Sequence, residues 1–513
     1  MKHRSKMVAV VSILALLASI LTTASGSATA ASKPHSASSP PKVVKIAWPE
    51  QVQSLDPDLT SEALPYDIMA LMGGTLTTLS ANGKSVEPGL ASKWTASSNG
   101  LTWTFTLRKG LRFSNGQPLT ATDVKATFDH QRSDKADPEI GDFSTWKQET
   151  VKSPTELLIE LSAPQPSLPL ILAAPYHIIF PAGSVANKSF YKDPISDGPF
   201  KLQSMSAGGT QEILVANADY YGAQPAIPQV EFLYVPSDNT RVIELRANQI
   251  QVAGELAPSD LKQLKSNGLV GQDAKQYGSY MIWMSDRKSP LSNVNVRKAI
   301  SDSIDRAQIN QIIWNGGNTP IGSLFPSTMP EYLNDIPTAY NVAAAKKLLK
   351  GTPCANGCTI PMQVRTGYPI EDEMATIIAQ DVAPSGITIQ IDSVDNAVQG
   401  TNLGDANFQM ALNWLGLEVP DPISWLDLAV LSTGGIDSLF SGYKNATVNA
   451  LVAKATSASG ATEAGYIAQI NAIFAKDLPY VPLVDYTTSL GLTKQVAPYV
   501  TLADDDVFVI ASK

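Results

Sequence analysis

Soft metal ligands are scarce in this chain of 513 residues, which holds two cysteines and four histidines, with His3 and His35 lying before any segment that could fold. Without a cluster of such ligands, a structural zinc site is not expected. Catalytic signatures are missing as well. Neither His-Glu-x-x-His nor Gly-x-Ser-x-Gly occurs. Asn82-Gly83-Lys84-Ser85 has the ending of a phosphate-binding loop, but Thr78 stands where its first glycine must be, so it reads as a turn between strands. His177 sits in the apolar run Ala-Pro-Tyr-His-Ile-Ile-Phe, the setting of a satisfied core histidine. Basic residues are outnumbered, 38 against 47 acidic, for a net charge of −9. That balance repels phosphate backbones and excludes nucleic acid as a partner. Asp504-Asp505-Asp506 reads as a solvated turn rather than a cation site. No repeat of solenoid or propeller length is present.

After Met7–Leu21 no apolar run is long enough to span a bilayer, and that run itself is roughly 15 residues where about 20 are needed. Preceded by Lys2, Arg4 and Lys6 and followed by Ala28-Thr29-Ala30, it reads as a signal peptide over residues 1–30, exporting the rest. Residues 31–42, rich in Ser and Pro, form a leader with little to bury. Neither cysteine follows the apolar run, so the thiol for N-terminal lipid attachment is missing. The pair Cys354 and Cys358 brackets Ala-Asn-Gly, and an oxidising compartment favours a small local disulfide. The rival, half of a metal site, lacks a second pair of ligands.

The remaining length exceeds what one hydrophobic core organises. Alternating runs at Val43–Trp48, Leu101–Leu107 and Glu156–Leu161 predict strands. Thr122-Asp123 predicts a helix start, and helical spacing recurs at Val296–Trp314, Ala343–Leu349, Glu373–Val382, Val448–Ala455 and Ala464–Ala475. The class is therefore mixed α/β.

Between Pro88 and Val124 the wording becomes specific: Pro88-Gly89-Leu90-Ala91-Ser92-Lys93-Trp94, Asn99-Gly100-Leu101-Thr102-Trp103-Thr104-Phe105, and Leu111-Arg112-Phe113-Ser114-Asn115-Gly116-Gln117-Pro118-Leu119 leading to Asp123. This resembles the signature of the peptide and nickel class of bacterial extracytoplasmic solute-binding proteins. Asp197-Gly198-Pro199-Phe200, Asn217-Ala218-Asp219-Tyr220-Tyr221-Gly222, Glu244–Ala253, Val296-Arg297-Lys298-Ala299 with Asp305-Arg306, Trp414–Trp425 and Pro479–Leu483 are similar to later parts of the same family, in the same order.

The resemblance implies a two-lobe, type II (cluster C) periplasmic-binding-protein-like α/β fold with an extra subdomain inserted in lobe I. The expected limits are 43–80, 190–273 and 493–513 for lobe I, 81–189 for the insert and 274–492 for lobe II. It also implies a solute-binding component of an ABC importer, which closes on a peptide, modified peptide or oligosaccharide and passes it to a membrane permease. Such a protein acts as a monomer outside the cytoplasm, needs no cofactor and catalyses nothing. An extracellular sensor or scaffold on the same fold, or a secreted hydrolase, are the alternatives. Candidate cleft residues are Tyr277, Tyr280, Trp283, Arg365, Trp414, Glu418 and Asp421. Peptide binders of the family place an ammonium-holding aspartate three residues after the tryptophan, where this chain has Leu417. A neutral or amine-blocked ligand is expected on that ground, unless Glu418 substitutes.

Overall fold

The computed structural model describes residues 39–60, 63–80, 83, 85–133, 139–432, 440–502 and 508–512. The signal peptide, most of the leader and the run Asp504–Asp506 lie outside the described residues.

Ten strands form one mixed sheet in the order Ile387–Val394, Cys358–Arg365, Met410–Leu417, Val270–Met284, Tyr480–Leu492, Val252–Ala253, Val44–Trp48, Gln229–Tyr234, Gln211–Ala216, Phe200–Met205. Val44–Trp48 lies deep within it, parallel to both neighbours, and four of its five residues are buried. A strand covered on both faces reads as a continuous apolar run, as Val-Lys-Ile-Ala-Trp nearly does.

Two long strands serve two cores. Val270–Lys275 pairs antiparallel with Thr487–Leu492, the register slips between Lys275 and Ser279, and Ser279–Trp283 then pairs with Tyr480–Asp485. Leu490 and Leu492 pack with Val44, Ile46 and Trp48 in the core of the first lobe. Tyr277–Met284 and Tyr480–Tyr486 pack instead with Ile360, Met362 and Trp425 in the core of the second. The change of core thus falls inside each strand, before the limit expected at 492. Both strands are polar at the crossing, Gln272-Asp273-Ala274-Lys275-Gln276 and Thr487-Thr488-Ser489, between the apolar residues that enter each core.

A separate sheet, Ala91–Ala96, Thr102–Leu107, Glu156–Leu161 and Trp146–Ser153 in spatial order, has its own core around Phe105, Phe128 and Ile159. Gly100 (φ 69°) and Gly116 (φ 83°) take up the left-handed conformation that the two Asn-Gly turns require. Helix Ala121–Ser133 begins at the expected place, with Asp123 Oδ2 accepting from Thr120 N at 2.8 Å. The helix expected over Val296–Trp314 is two, Val294–Asp302 and Arg306–Trp314, because Asp305 caps the second by accepting from Gln308 N at 2.9 Å. Gly83 lies in a turn closed by Ser80 N donating to Ser85 O at 2.8 Å, between strands Thr77–Leu79 and Val86–Pro88. Cys354 and Cys358 are disulfide-bonded, with Cα atoms 5.0 Å apart. Cys354 is buried in the second core, with Cys358 packed against its edge.

Candidate functional site

A cavity enclosing about 890 Å³ of atom-free space, part of it continuous with solvent, lies between the lobes. Its walls include Tyr66, Glu139 and Tyr176 from one side, and Trp283, Arg365, Asn396, Trp414, Leu417, Glu418 and Phe440 from the other. Aromatic walls with a few polar groups are what a small-ligand site presents.

Trp414 is braced from behind. Its ring stacks on Tyr486 with centroids 4.4 Å apart and planes 7° from parallel. Tyr486 in turn donates its hydroxyl to Glu255 Oε1 at 2.8 Å. Trp283 stands edge-on to Phe440 at 5.7 Å and packs against Tyr480 at 5.1 Å, leaving only 1% of its surface exposed.

Arg365 reaches the cavity wall with its charge already engaged. Its Nε lies 3.1 Å from both carboxylate oxygens of Glu371, Nη2 also bonds Glu371, and Nη1 donates to Asn396 Oδ1 at 3.3 Å. The guanidinium carbon sits 3.9 Å from the centre of the Tyr368 ring, a cation–π contact. Tyr368 donates to Glu50 Oε1 at 3.0 Å, joining residues 318 positions apart. Arg365 is therefore part of a buried framework, and Glu371 already occupies the bidentate edge that a ligand carboxylate would need.

Tyr176 bonds toward Asp142 Oδ2 at 3.4 Å. Burial first, then the nearby carboxylates of Asp142, Glu139 and Glu418, holds its hydroxyl well above the usual phenol range, so it remains a donor. His177 is a core histidine, fully buried, with Nε2 3.2 Å from Asp142 Oδ2 and Nδ1 3.2 Å from Gln131 Oε1.

Of the seven residues expected at the cleft, Trp283, Arg365, Trp414 and Glu418 line the cavity. Tyr277, Tyr280 and Asp421 do not. Tyr280 stands directly opposite Trp414 in the ladder but is buried beside it, packed on Trp314 and Tyr486. The Tyr277 hydroxyl lies against Gly83, where a Cβ would come within 2.1 Å of it. Asp421 is fully buried and caps helix Pro422–Ala429 by accepting from Ser424 N at 2.8 Å. Burial raises its carboxyl to about 7. Tyr66, Glu139, Tyr176, Asn396 and Phe440 escaped the sequence reading, since nothing in their local spacing marks residues that only the tertiary fold brings together.

Among the described residues, no group of three or more His, Cys, Asp or Glu could hold a metal ion, and no helix is long and apolar enough to cross a membrane. The oligopeptide-binding protein OppA of Bacillus subtilis strain 168 is 25% identical to this chain over 480 residues, spanning 85% of this chain and 86% of that protein. The nickel-binding periplasmic protein of Escherichia coli K12 is 28% identical over 358 residues, 66% of each. The crystal structure of a dipeptide binding protein from Pseudoalteromonas sp. SM9913 in complex with Met-Leu is 18% identical and superposes with a TM-score of 0.83, covering 92% of this chain and 99% of that one. The model of the bacterial extracellular solute-binding proteins, family 5, matches residues 85–437, more than half of the sequence. With the two-lobe fold and the cavity between its cores, this match establishes that the chain belongs to family 5 of the bacterial extracellular solute-binding proteins, the peptide and nickel class of ABC-importer binding components.

Proposed function

We propose that the protein acts as a monomer outside the cytoplasm, after removal of residues 1–30, capturing a small organic solute between its lobes and delivering it to an ABC permease without altering it. Lobe I would comprise 43–80, 190–273 and the C-terminal tail, with 81–189 as its inserted subdomain, and lobe II would begin at the register slip that follows Lys275. The observation that carries this reading is the cavity itself, whose lining comes from both lobes. Closure around a solute removes it from water, and the closed form is what a permease would recognise.

The lining also bears on the ligand's chemistry. Leu417 does line the cavity, but Glu418 beside it and Glu139 opposite bring two carboxylates, while the one guanidinium is held by Glu371. A ligand presenting hydrogen-bond donors or a positive group suits this wall, which reverses the preference expected from Leu417 alone. Peptides with a free amine are one such class, and the aromatic faces of Trp414, Tyr66 and Tyr176 would cover their side chains. Calorimetry with tetra-alanine and its N-acetylated form tests the point. The free peptide should bind more tightly, and Glu418→Gln should weaken it by on the order of tenfold or more, as expected when a charge-assisted hydrogen bond is lost. Tighter binding of the acetylated form would return the preference to neutral ligands.

A further inference from the structure

Next to the cavity, the lobes touch through carboxylates. Ser424 Oγ, on helix Pro422–Ala429 of the second lobe, lies 2.9 Å from Asp142 Oδ1, on the turn Ile140–Phe143 that packs with the four-stranded sheet. The same Oγ lies 3.1 Å from Asp421 Oδ2. A serine hydroxyl carries one hydrogen and can donate to only one of these carboxylates. The other contact lacks a hydrogen unless a carboxyl group supplies it. Asp421 Oδ1, also buried, meets no donor in hydrogen-bonding geometry, although Ser167 lies close by. Asp427 approaches the same turn: a Cβ on Gly141 would fall 2.8 Å from its Oδ2.

The surrounding groups offer little compensation. His177 Nε2 and Tyr176 Oη face Asp142 Oδ2 from its own side of the contact, Glu139 lies beside Asp142 on the same turn, and Glu418 reaches the cavity from the helix side. Among the described residues, no lysine or arginine contributes to the electrostatics of Asp421 or Asp427. His177 stays with Asp142 whether the lobes are together or apart, so it influences closure only through that carboxylate.

We propose that this protein closes more readily as pH falls, because the contact between Asp142 and the Asp421–Ser424 cap needs a hydrogen that the separated lobes do not hold. The inference rests on the reading of the fold as two lobes that close. Its sign follows from burial. Once the lobes part, Asp421 meets water and returns toward the ordinary carboxylate range, whereas in the contact burial, with Asp142's charge adding to it, raises it to about 7. Asp427 is shifted in the same direction, by burial and then by Asp142 and Asp421. A group whose affinity for protons is higher in the closed form favours closure at low pH, and the advantage is lost as pH rises through about 7. Below that, one linked proton changes the closed-to-open ratio by up to about tenfold per pH unit.

The test needs no solute. Spin labels at Lys109→Cys and Ala472→Cys, both exposed and on opposite sides of the contact, report the interlobe distance by pulsed electron paramagnetic resonance. Between about pH 7.5 and 5.5 the closed-to-open ratio should rise by on the order of tenfold. In Asp421→Asn, whose amide both supplies the hydrogen and preserves the helix cap, the closed form should persist at both values with a clearly reduced pH slope, what remains coming from Asp427. Asp142→Asn should behave alike, which covers the case of one variant folding poorly. A pH-independent distribution in the labelled parent, or an unchanged slope in both variants, overturns the proposal. If a closed population exists but ignores pH, solute capture by closure stands and only the proton link fails. If no closed distance appears at any pH, even with tetra-alanine, both fail.

Discussion

Two buried contacts border the cavity and solve the problem of charge in opposite ways. Arg365 and Glu371 lie six positions apart within one lobe, carry opposite charges, and bond each other through the Nε and Nη2 of the guanidinium. Asp142 and Asp421 come from different lobes, carry like charges when ionised, and share one serine hydrogen. Breaking the first would leave an uncompensated charge in the interior, so it should hold wherever the lobe is folded. Parting the second returns two carboxylates to water, which the open state tolerates well. One contact thus belongs to folding and the other to movement.

The comparison breaks first at Arg365. Arg365→Met should lower stability by about 3–5 kcal/mol in urea unfolding, because Glu371 is left charged and buried. Adding Glu371→Leu should recover most of that loss, since removing both partners also removes the desolvation penalty. Full stability in the single variant would show that the pair is not a structural element. Gly141→Ala acts on the other contact: its Cβ meets Asp427 Oδ2, so closure should weaken by about 1–2 kcal/mol while urea unfolding of the separate lobes barely changes. Interlobe distances measured on this variant would separate the two effects. Ser424→Ala has the smallest expected effect, about 1 kcal/mol against closure, and it should leave the helix cap from Asp421 to the backbone intact. An unfolding midpoint shifted as far as in Arg365→Met would erase the distinction between the two contacts.

Local elements were readable because their signals are local. The Asn-Gly turns, the Asp123 helix start and the spacing at Ala464–Ala475 appear where residue chemistry places them. Order along the chain was also enough to reach the family and hence the two lobes. The site was legible only in part. Trp414 and Glu418 belong to a stretch that resembles a known segment, whereas Tyr66 and Glu139 reach the cavity from distant positions with no shared pattern. Tyr280 was misplaced because its ring is covered by Trp314 and Tyr486, neighbours that only the folded chain brings to it. The capping role of Asp421 was visible in its position before Pro422, yet its approach to Asp142 spans 279 positions and could come only from the folded chain.

The pair of strands shared by both cores has a mechanical consequence. A two-stranded ribbon held by backbone hydrogen bonds is stiff to stretching and to bending within its own plane, but it yields to torsion. The register slips after Lys275 and again between Tyr280 and Met281, and irregular pairing of this kind concentrates bend and twist. Lys275 anchors one edge of the first slip, 3.2 Å from Asp485 Oδ2, while the Oδ1 of the same carboxylate accepts from Ser327 N at 2.8 Å. The ribbon is thus a torsion spring whose soft places are its two breaks in register, with Asp485 beside the first.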